Sequence, residues 1–304
     1  EAEAEAEEEW SPVLSWEELR EDEELVLEAV ASDAKAFSFA PEDWQSDEEF
    51  AVKAAARNGM VLEYVSADFR DSKKVCLEAV KQNCEAIAHA SEEMQGTFSV
   101  LAEAVMQQGG LLRYAPEEWR EDEELVTLAV KNDGRALAYA SDLCRRRAAI
   151  VQAAIQQSWK AIEYVNHIIE LSLDDMKTAV QQDWQAVNLI LARPKIPPED
   201  QFAELADANP HIVQAPELRA VRSVVMAACR KEGEVLRHAA FALRGDKELV
   251  EAAVRSHPDA LWFALPKLQH DPDLVELNRV LTGRDGARRY EVQKAAAAAA
   301  ALAA

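Results

Sequence analysis

The chain has 304 residues, 49% of them hydrophobic, with only 9 glycines and 11 prolines, and its formal net charge at pH 7 is −23. This composition favours helix over sheet or disorder, and no apolar run approaches the roughly 18 residues that a membrane-spanning helix needs. The negative charge argues against direct binding of nucleic acid, because phosphate recognition requires a basic face.

The first predicted segment is an acidic tail over residues 1–13. Residues 1–50 contain 19 acidic and 2 basic side chains, so most of the net charge belongs to this end of the chain. A basic protein partner could bind such a segment, and Glu7, Glu8 and Glu9 are the candidate contact residues. A solvated tail that only maintains solubility is an equally good interpretation.

Seven repeat units of 25 residues follow over residues 14–193. Residues 17–26 and residues 117–126 match at nine of ten positions, and columns of similar side chains recur at the 25-residue step. The valine column, preceded by alanine in every unit, is Val30, Ala55, Val80, Val105, Val130, Ile155 and Val180. The end column, expected to cover the ends of the core, is Leu19, Trp44, Phe69, Met94, Trp119, Cys144 and Ile169.

Residues 122–146 illustrate how one unit is expected to fold. Asp122 can cap an α-helix, and the apolar residues on one face of that helix are Leu125, Val126, Ala129 and Val130. Gly134 is expected to end this helix in the left-handed conformation. A second, shorter helix and a connecting piece as short as a 3₁₀ turn complete the unit. Such a hairpin cannot bury its own apolar face, so neighbouring units must stack.

The pattern therefore predicts an all-α fold, an α-solenoid of about ten tandem 25-residue two-helix repeats. Residues 194–221 form a proline-rich degenerate repeat, in which Pro194 replaces the apolar residue of the end column. Leu205 and Ile212 hold two columns in this unit, which is one residue short. We interpret it as a bend or an inserted loop before the C-terminal helical repeats, residues 222–280. An alanine-rich tail, residues 281–304, ends the chain.

The repeat unit resembles the repeats of the domain of unknown function 4116 family. The stretches that carry the resemblance are DEELVTLAVKNDGRALAYAS at residues 122–141, KKVCLEAVKQNCEAIAHAS at residues 73–91 and DKELVEAAV at residues 246–254. The family's unit is about two of these 25-residue steps. The resemblance implies a helical-repeat fold and, by analogy only, an interaction role; it brings no catalytic residues with it.

The tyrosine column, two residues after the second apolar column, is the main candidate for a binding surface. Its tyrosines are Tyr64, Tyr114, Tyr139 and Tyr164, and tyrosine is enriched at protein interfaces. A half-buried packing stripe is the more common arrangement for such residues. The four cysteines have no CxxC spacing and the six histidines no HExxH spacing, so we expect no metal, no cofactor and no enzyme activity.

We therefore expect a non-catalytic protein–protein interaction scaffold, an accessory or structural subunit of a larger assembly, with an organellar assembly as one option. The alternatives are a peptide-binding regulatory protein or effector, or an enzyme with a site hidden on a concave face. The expected partners are other proteins. The expected location is intracellular, soluble or peripheral on a membrane complex, with an organelle open if a transit peptide has been removed.

Overall fold

Residues 22–282 are described by a computed structural model, and every regular element in this range is an α-helix or a 3₁₀-helix. Residues 1–21, which include Glu7, Glu8 and Glu9, and residues 283–304 lie outside the described residues. The predicted all-α repeat architecture is confirmed. The chain divides into an N-terminal unit, residues 1–150, and a C-terminal unit, residues 151–304.

Each repeat begins with an α-helix of ten residues. In chain order these long helices are α1 (Glu23–Ser32), α2 (Glu48–Arg57), α3 (Lys73–Gln82), α4 (Phe98–Gln107), α5 (Glu123–Asn132), α6 (Ala148–Gln157), α7 (Leu173–Gln182), α8 (Glu199–Ala208), α9 (Arg222–Lys231) and α10 (Lys247–Ser256). Residues 272–282 are again helical. The regular length follows from the regular spacing of caps and apolar residues in the sequence.

Polar side chains mark both ends of the long helices. At the start of α2, the Asp47 carboxylate accepts a hydrogen bond from the Phe50 N–H at 3.3 Å. At its end, Asn58 has an extended backbone (φ −150°, ψ 108°), and its N–H still donates to the Ala54 carbonyl at 2.9 Å. The Asn58 side chain accepts from the Met60 N–H at 3.1 Å. One residue thus ends a helix and caps the next one.

The prediction of left-handed glycines at the helix ends is wrong. Gly109 and Gly134 are the first residues of 3₁₀-helices, and the extended residue before each of them makes the turn. At Gly109 a close approach explains the glycine, since a Cβ there would lie 2.2 Å from the Ala129 carbonyl oxygen. A Cβ on Gly59 would lie 2.3 Å from the Ala79 oxygen. Each glycine therefore admits the long helix of the next repeat.

The second piece of a repeat is usually a 3₁₀-helix of five or six residues. These helices are Ala34–Phe39, Gly59–Glu63, Cys84–His89, Gly109–Tyr114, Gly134–Tyr139, Trp159–Tyr164, Pro210–Gln214, Gly233–His238 and Pro258–Phe263, whereas Ala186–Leu191 is α-helical. A 3₁₀-helix rises about 2.0 Å per residue against 1.5 Å in an α-helix, so six residues run back along most of a long helix.

The connecting piece is a single α-helical turn in most repeats, where the sequence suggested a 3₁₀ turn. The α-helical turns are Glu42–Gln45, Ala67–Arg70, Glu92–Gln95, Glu117–Arg120 and Pro266–Gln269. The 3₁₀ turns, which agree with the expectation, are Cys144–Arg146 and Leu243–Gly245. The four-residue turns differ because their last residues donate i→i+4 bonds, as from the Arg120 N–H to the Pro116 carbonyl at 3.2 Å.

Within each unit, long helices pack on the next long helix and 3₁₀-helices on the next 3₁₀-helix. The valine column and its preceding alanines are buried between them. Side-chain amides tie successive repeats together: Asn132 Nδ2 donates to the Met106 carbonyl at 2.8 Å, and its Oδ1 accepts from the Gly109 N–H at 2.8 Å. Asn58 Nδ2 likewise donates to the Val30 carbonyl at 3.0 Å. We call these contacts the amide bridges.

The eighth repeat keeps its apolar side chains inside although its spacing is irregular. The Leu205 carbonyl accepts the last helical bond, from the Asn209 N–H at 2.9 Å, as the Ala179 carbonyl does at the end of α7. Leu205 thus holds the alanine position, and its expected place in the column of Val180 is wrong by one residue. The shift arises because one residue is inserted before α8, which begins after Pro198.

Candidate functional site

The regular architecture is interrupted over residues 192–198. No helical turn connects Ala186–Leu191 to α8, and the chain instead passes through Pro194 and Pro197 without regular structure. Proline cannot donate a backbone hydrogen bond and restricts the residue before it to extended conformations. The proline-rich sequence therefore accounts for the missing turn.

A groove of about 480 Å³ opens beside this interruption, entirely within the C-terminal unit. Its apolar wall consists of Leu191, Ile196, Pro197, Phe202, Leu218 and Val221. Phe202 and Leu218 are buried, whereas Ile196 is 59% exposed. The volume falls within the range of about 300–1,000 Å³ that is usual for ligand pockets. We refer to this feature as the Ile196 groove.

A comparison with a regular repeat explains why the groove is open. The residue that opens a connecting piece normally donates its N–H to the preceding repeat, as Ser141 does to the Arg120 carbonyl at 2.9 Å. Pro116 and Pro216 occupy this position and have no N–H. At Pro116 the gap is covered by Trp119, whose Nε1 donates to the Gly96 carbonyl at 2.6 Å. The corresponding residue after Pro216 is the smaller Leu218, which lines the groove.

Two carboxylates lie on the rim of the Ile196 groove. Glu199 begins α8, and Glu217 belongs to the turn that follows Pro216. Both residues are exposed, and neither forms an ion pair with any residue in the range 22–282. Glu199 accepts a hydrogen bond from the uncharged Ser223 hydroxyl. The groove is thus apolar inside and negative at its edge.

Arg193 lies in a smaller cavity of about 120 Å³, which Ile196 and Pro197 separate from the groove. Only 8% of Arg193 is exposed, and burial lowers the pKa of its guanidinium. Its Nη2 donates to the carbonyls of Asn166 at 2.9 Å and Ile169 at 2.7 Å. Buried charges are usually held by such hydrogen bonds, so Arg193 fastens the preceding connecting piece in place.

A column of arginine and glutamine side chains, which the sequence analysis missed, explains this role. In regular repeats the residue after the end column donates to carbonyls at the end of its own 3₁₀-helix, and these donors are Gln45, Arg70, Gln95, Arg120, Arg145, Arg219 and Gln269. Glu170 holds this position in the seventh repeat and has no donor. Arg193 supplies the missing bonds from the following repeat. Recurrence at the 25-residue step was the signal that could have revealed the column.

The tyrosine column lies at the surface in a half-buried arrangement. Tyr64, Tyr114 and Tyr164 are half-buried, and Tyr139 is 38% exposed. The Arg113 guanidinium lies 4.8 Å from the ring centre of Tyr114 and donates to its hydroxyl at 3.3 Å. These contacts, with a smaller effect of Tyr139, raise the pKa of Arg113. The structure therefore brings two of the predicted tyrosines to one arginine in the N-terminal unit.

The reactive side chains elsewhere are placed for packing. Cys76 and Cys229 are buried free thiols, and burial raises the pKa of each to about 12. Burial, together with nearby arginines, lowers the pKa of His238. In residues 22–282 no group of histidine, cysteine and carboxylate side chains is arranged to hold a metal ion. In the same range no helix has the length and apolar character to cross a bilayer.

Repeats joined by amide bridges, with a carbonyl-binding column and buried apolar columns, define an all-α tandem-repeat protein. The model of the family Domain of unknown function (DUF4116) matches the chain at residues 22–70, 47–95, 100–145 and 221–269. These matches cover more than half of the chain, and the chain belongs to this family. The first two matches are offset by 25 residues, so the family unit spans two repeats.

Comparison with curated proteins and with solved structures returned no match. The stretch between the third and fourth family matches, residues 146–220, contains the interrupted segment and most of the Ile196 groove. The groove therefore lies where the chain departs from the family pattern.

Proposed function

We propose that this protein is a non-catalytic scaffold for protein–protein interaction, acting as an accessory or structural subunit of a larger assembly. The observation that carries the proposal is the Ile196 groove, an apolar recess with an exposed isoleucine in an otherwise regular repeat. Exposed apolar recesses of this kind are typical of binding surfaces. Repeat proteins also present extended surfaces on which several partners can bind.

Cross-linking of the tagged full-length protein in its native source tests this proposal. Lys195, whose side chain is 73% exposed, lies beside the groove and can react with an amine cross-linker. We expect a partner at a fixed ratio, cross-linked at Lys195. The variant Ala192→Trp, which fills the groove, should lose that partner. Recovery of the chain alone in both forms, with no cross-link at Lys195, would overturn the proposal.

A peptide-binding regulatory role is the second candidate, and the size of the groove favours it, because about 480 Å³ suits a few side chains. The two roles differ in the lifetime of the complex. A permanent subunit should remain bound through extended washing and purify at a constant ratio. A regulatory partner should dissociate during washing and bind again when it is added back.

A further inference from the structure

We propose that the Ile196 groove binds a basic segment of another protein, with an apolar side chain in the groove and lysines or arginines on either side of it. The inference rests on the proposed interaction function and adds the chemistry of the partner. It depends on three observations, which concern the wall of the groove, its rim and the charge of the surrounding surface.

The wall of the groove fits an aliphatic or aromatic side chain. Ile196, Phe202 and Leu218 come from three different segments and face one recess of about 480 Å³. Ile196 is 59% exposed, so an apolar side chain placed there would remove its surface from water. Burial of apolar surface is the main source of favourable free energy in such complexes.

The rim of the groove selects the sign of the partner's charge. Carboxylates elsewhere in the C-terminal unit are paired, as Glu204 is with Lys177 at 2.6 Å and Glu248 with Arg222 at 2.6 Å. Glu199 and Glu217 form no ion pair in the described part of the chain, although both are exposed at the rim. Two unpaired carboxylates on either side of an apolar recess fit two cations flanking an apolar residue.

The surrounding charge favours the same partner. Lys195 is the nearest cation beside the groove, and it is neutralised by its ion pair with Glu170. The chain as a whole has a net charge of −23, which attracts basic proteins during encounter and repels acidic ones.

Fluorescence polarisation with the full chain and three dye-labelled peptides tests the inference. The probes are Lys-Lys-Phe-Leu-Lys-Lys, its counterpart with glutamates in place of the lysines, and Lys-Lys-Ala-Ala-Lys-Lys. We expect measurable binding of the first peptide only, weakened by added salt. The double variant Glu199→Gln with Glu217→Gln should weaken that binding about fivefold, since each exposed ion pair contributes modestly.

Matched controls separate binding in the groove from general attraction to an acidic protein. Ala192→Trp should abolish binding of the first peptide, whereas Ala242→Trp, also at an exposed alanine before or after a short helix, should not. Glu163→Gln, at an exposed carboxylate away from the groove, should leave the affinity unchanged. Equal binding of the alanine peptide, or of the first peptide to Ala192→Trp, would overturn the inference.

The same experiments distinguish this inference from the proposed function. If the acidic peptide binds the groove best, and Ala192→Trp still removes the native partner, the scaffold function stands and the basic chemistry is wrong. If none of the peptides binds and the native partner remains on Ala192→Trp, both proposals fail.

Discussion

Two adjacent glycines show how much a single missing methyl group decides in this molecule. A Cβ on Gly109 would lie 2.2 Å from the Ala129 carbonyl oxygen, whereas a Cβ on Gly110 would meet no atom within 4 Å. The first belongs to the contact between two repeats, and the second faces open space. Sequence position alone does not distinguish them, because both stand at the same helix start.

Gly109→Ala should therefore lower the free energy of unfolding by about 1–3 kcal/mol, as overpacking against rigid backbone does. Gly110→Ala should be neutral or stabilise the protein by up to about 1 kcal/mol, because alanine reduces the entropy of the unfolded chain. Urea unfolding of the two variants beside the unmodified protein measures both effects. Equal stability of the two variants would contradict the assignment of Gly109 to the contact.

The cysteines should differ in their reactivity in the folded state. Cys76 and Cys229 are buried, with pKa values raised to about 12, so their thiols remain protonated at neutral pH and react slowly. Cys84 is partly exposed. We expect a thiol reagent to modify Cys84 first and the buried cysteines only after unfolding. Modification of Cys76 at the rate of Cys84, followed by peptide mass spectrometry, would show that α3 opens easily.

At the scale of elements, the amide bridges connect helices that have no covalent neighbour in common. Asn132→Ala removes both the bond to the Met106 carbonyl and the acceptor of the Gly109 N–H. A buried donor without a partner costs about 1–3 kcal/mol, so we expect that loss in chemical unfolding. Gln156→Ala, at an exposed amide with no such bridge in the described residues, is the matched control and should change little.

The ion pairs between helix starts should make stability depend on pH. The hydrogen bond from Arg222 at 2.7 Å is the main cause that lowers the pKa of Asp246 below its ordinary value of 3.8. Lys247 acts in the same way on Asp271. A carboxyl with a lowered pKa in the folded state stabilises the fold above its unfolded pKa and loses that contribution as pH falls.

The free energy of unfolding should therefore decrease as pH is lowered below 3.8. Asp246→Asn keeps the ability to cap α10 but has no charge, so its stability should fall less over the same range. Thermal unfolding at about pH 6 and at about pH 3 compares the two proteins. A parallel decrease in both would assign the pH dependence to other groups.

The sequence predicts some elements well and others not at all, for reasons that differ from residue to residue. The long helices follow from local signals, since caps such as Asp47 and buried residues such as Val80 recur in phase with the repeat. Gly109 was misinterpreted because glycine is compatible with both a left-handed turn and a close approach. The deciding atom, the Ala129 oxygen, belongs to the next repeat, so local sequence does not reveal it.

The Ile196 groove was predicted only as an irregularity. The prolines of residues 194–221 indicate where the pattern fails, but a bend, a loop and a groove share that signal. Its depth depends on Leu218 standing where a regular repeat has Trp119, a difference in volume that becomes meaningful only beside Pro216. Candidate contacts in the tail, Glu7, Glu8 and Glu9, lie outside the described residues and stay a prediction.

At the scale of the whole molecule, contacts are restricted to neighbouring repeats within each unit. Stability in such proteins is approximately a sum over repeats and their interfaces. Gly109→Ala should therefore increase amide hydrogen exchange in α4, α5 and the adjacent repeats. Residues 222–282 should keep the protection of the unmodified protein. Increased exchange throughout residues 22–282 would instead indicate a single cooperative transition.

The overlap of the first two family matches, at residues 22–70 and 47–95, has a consequence for how such a chain can change over generations. Because each repeat offers its neighbours the same two faces, the coding sequence can recombine in whole units and still encode a folded protein. Changes of one residue are different, since each alters the phase of all later units unless another compensates for it. The eighth repeat, with its inserted residue before α8 and its shortened 3₁₀-helix Pro210–Gln214, contains such a compensation. A duplicated gene can therefore keep its framework while this one unit acquires a new binding surface.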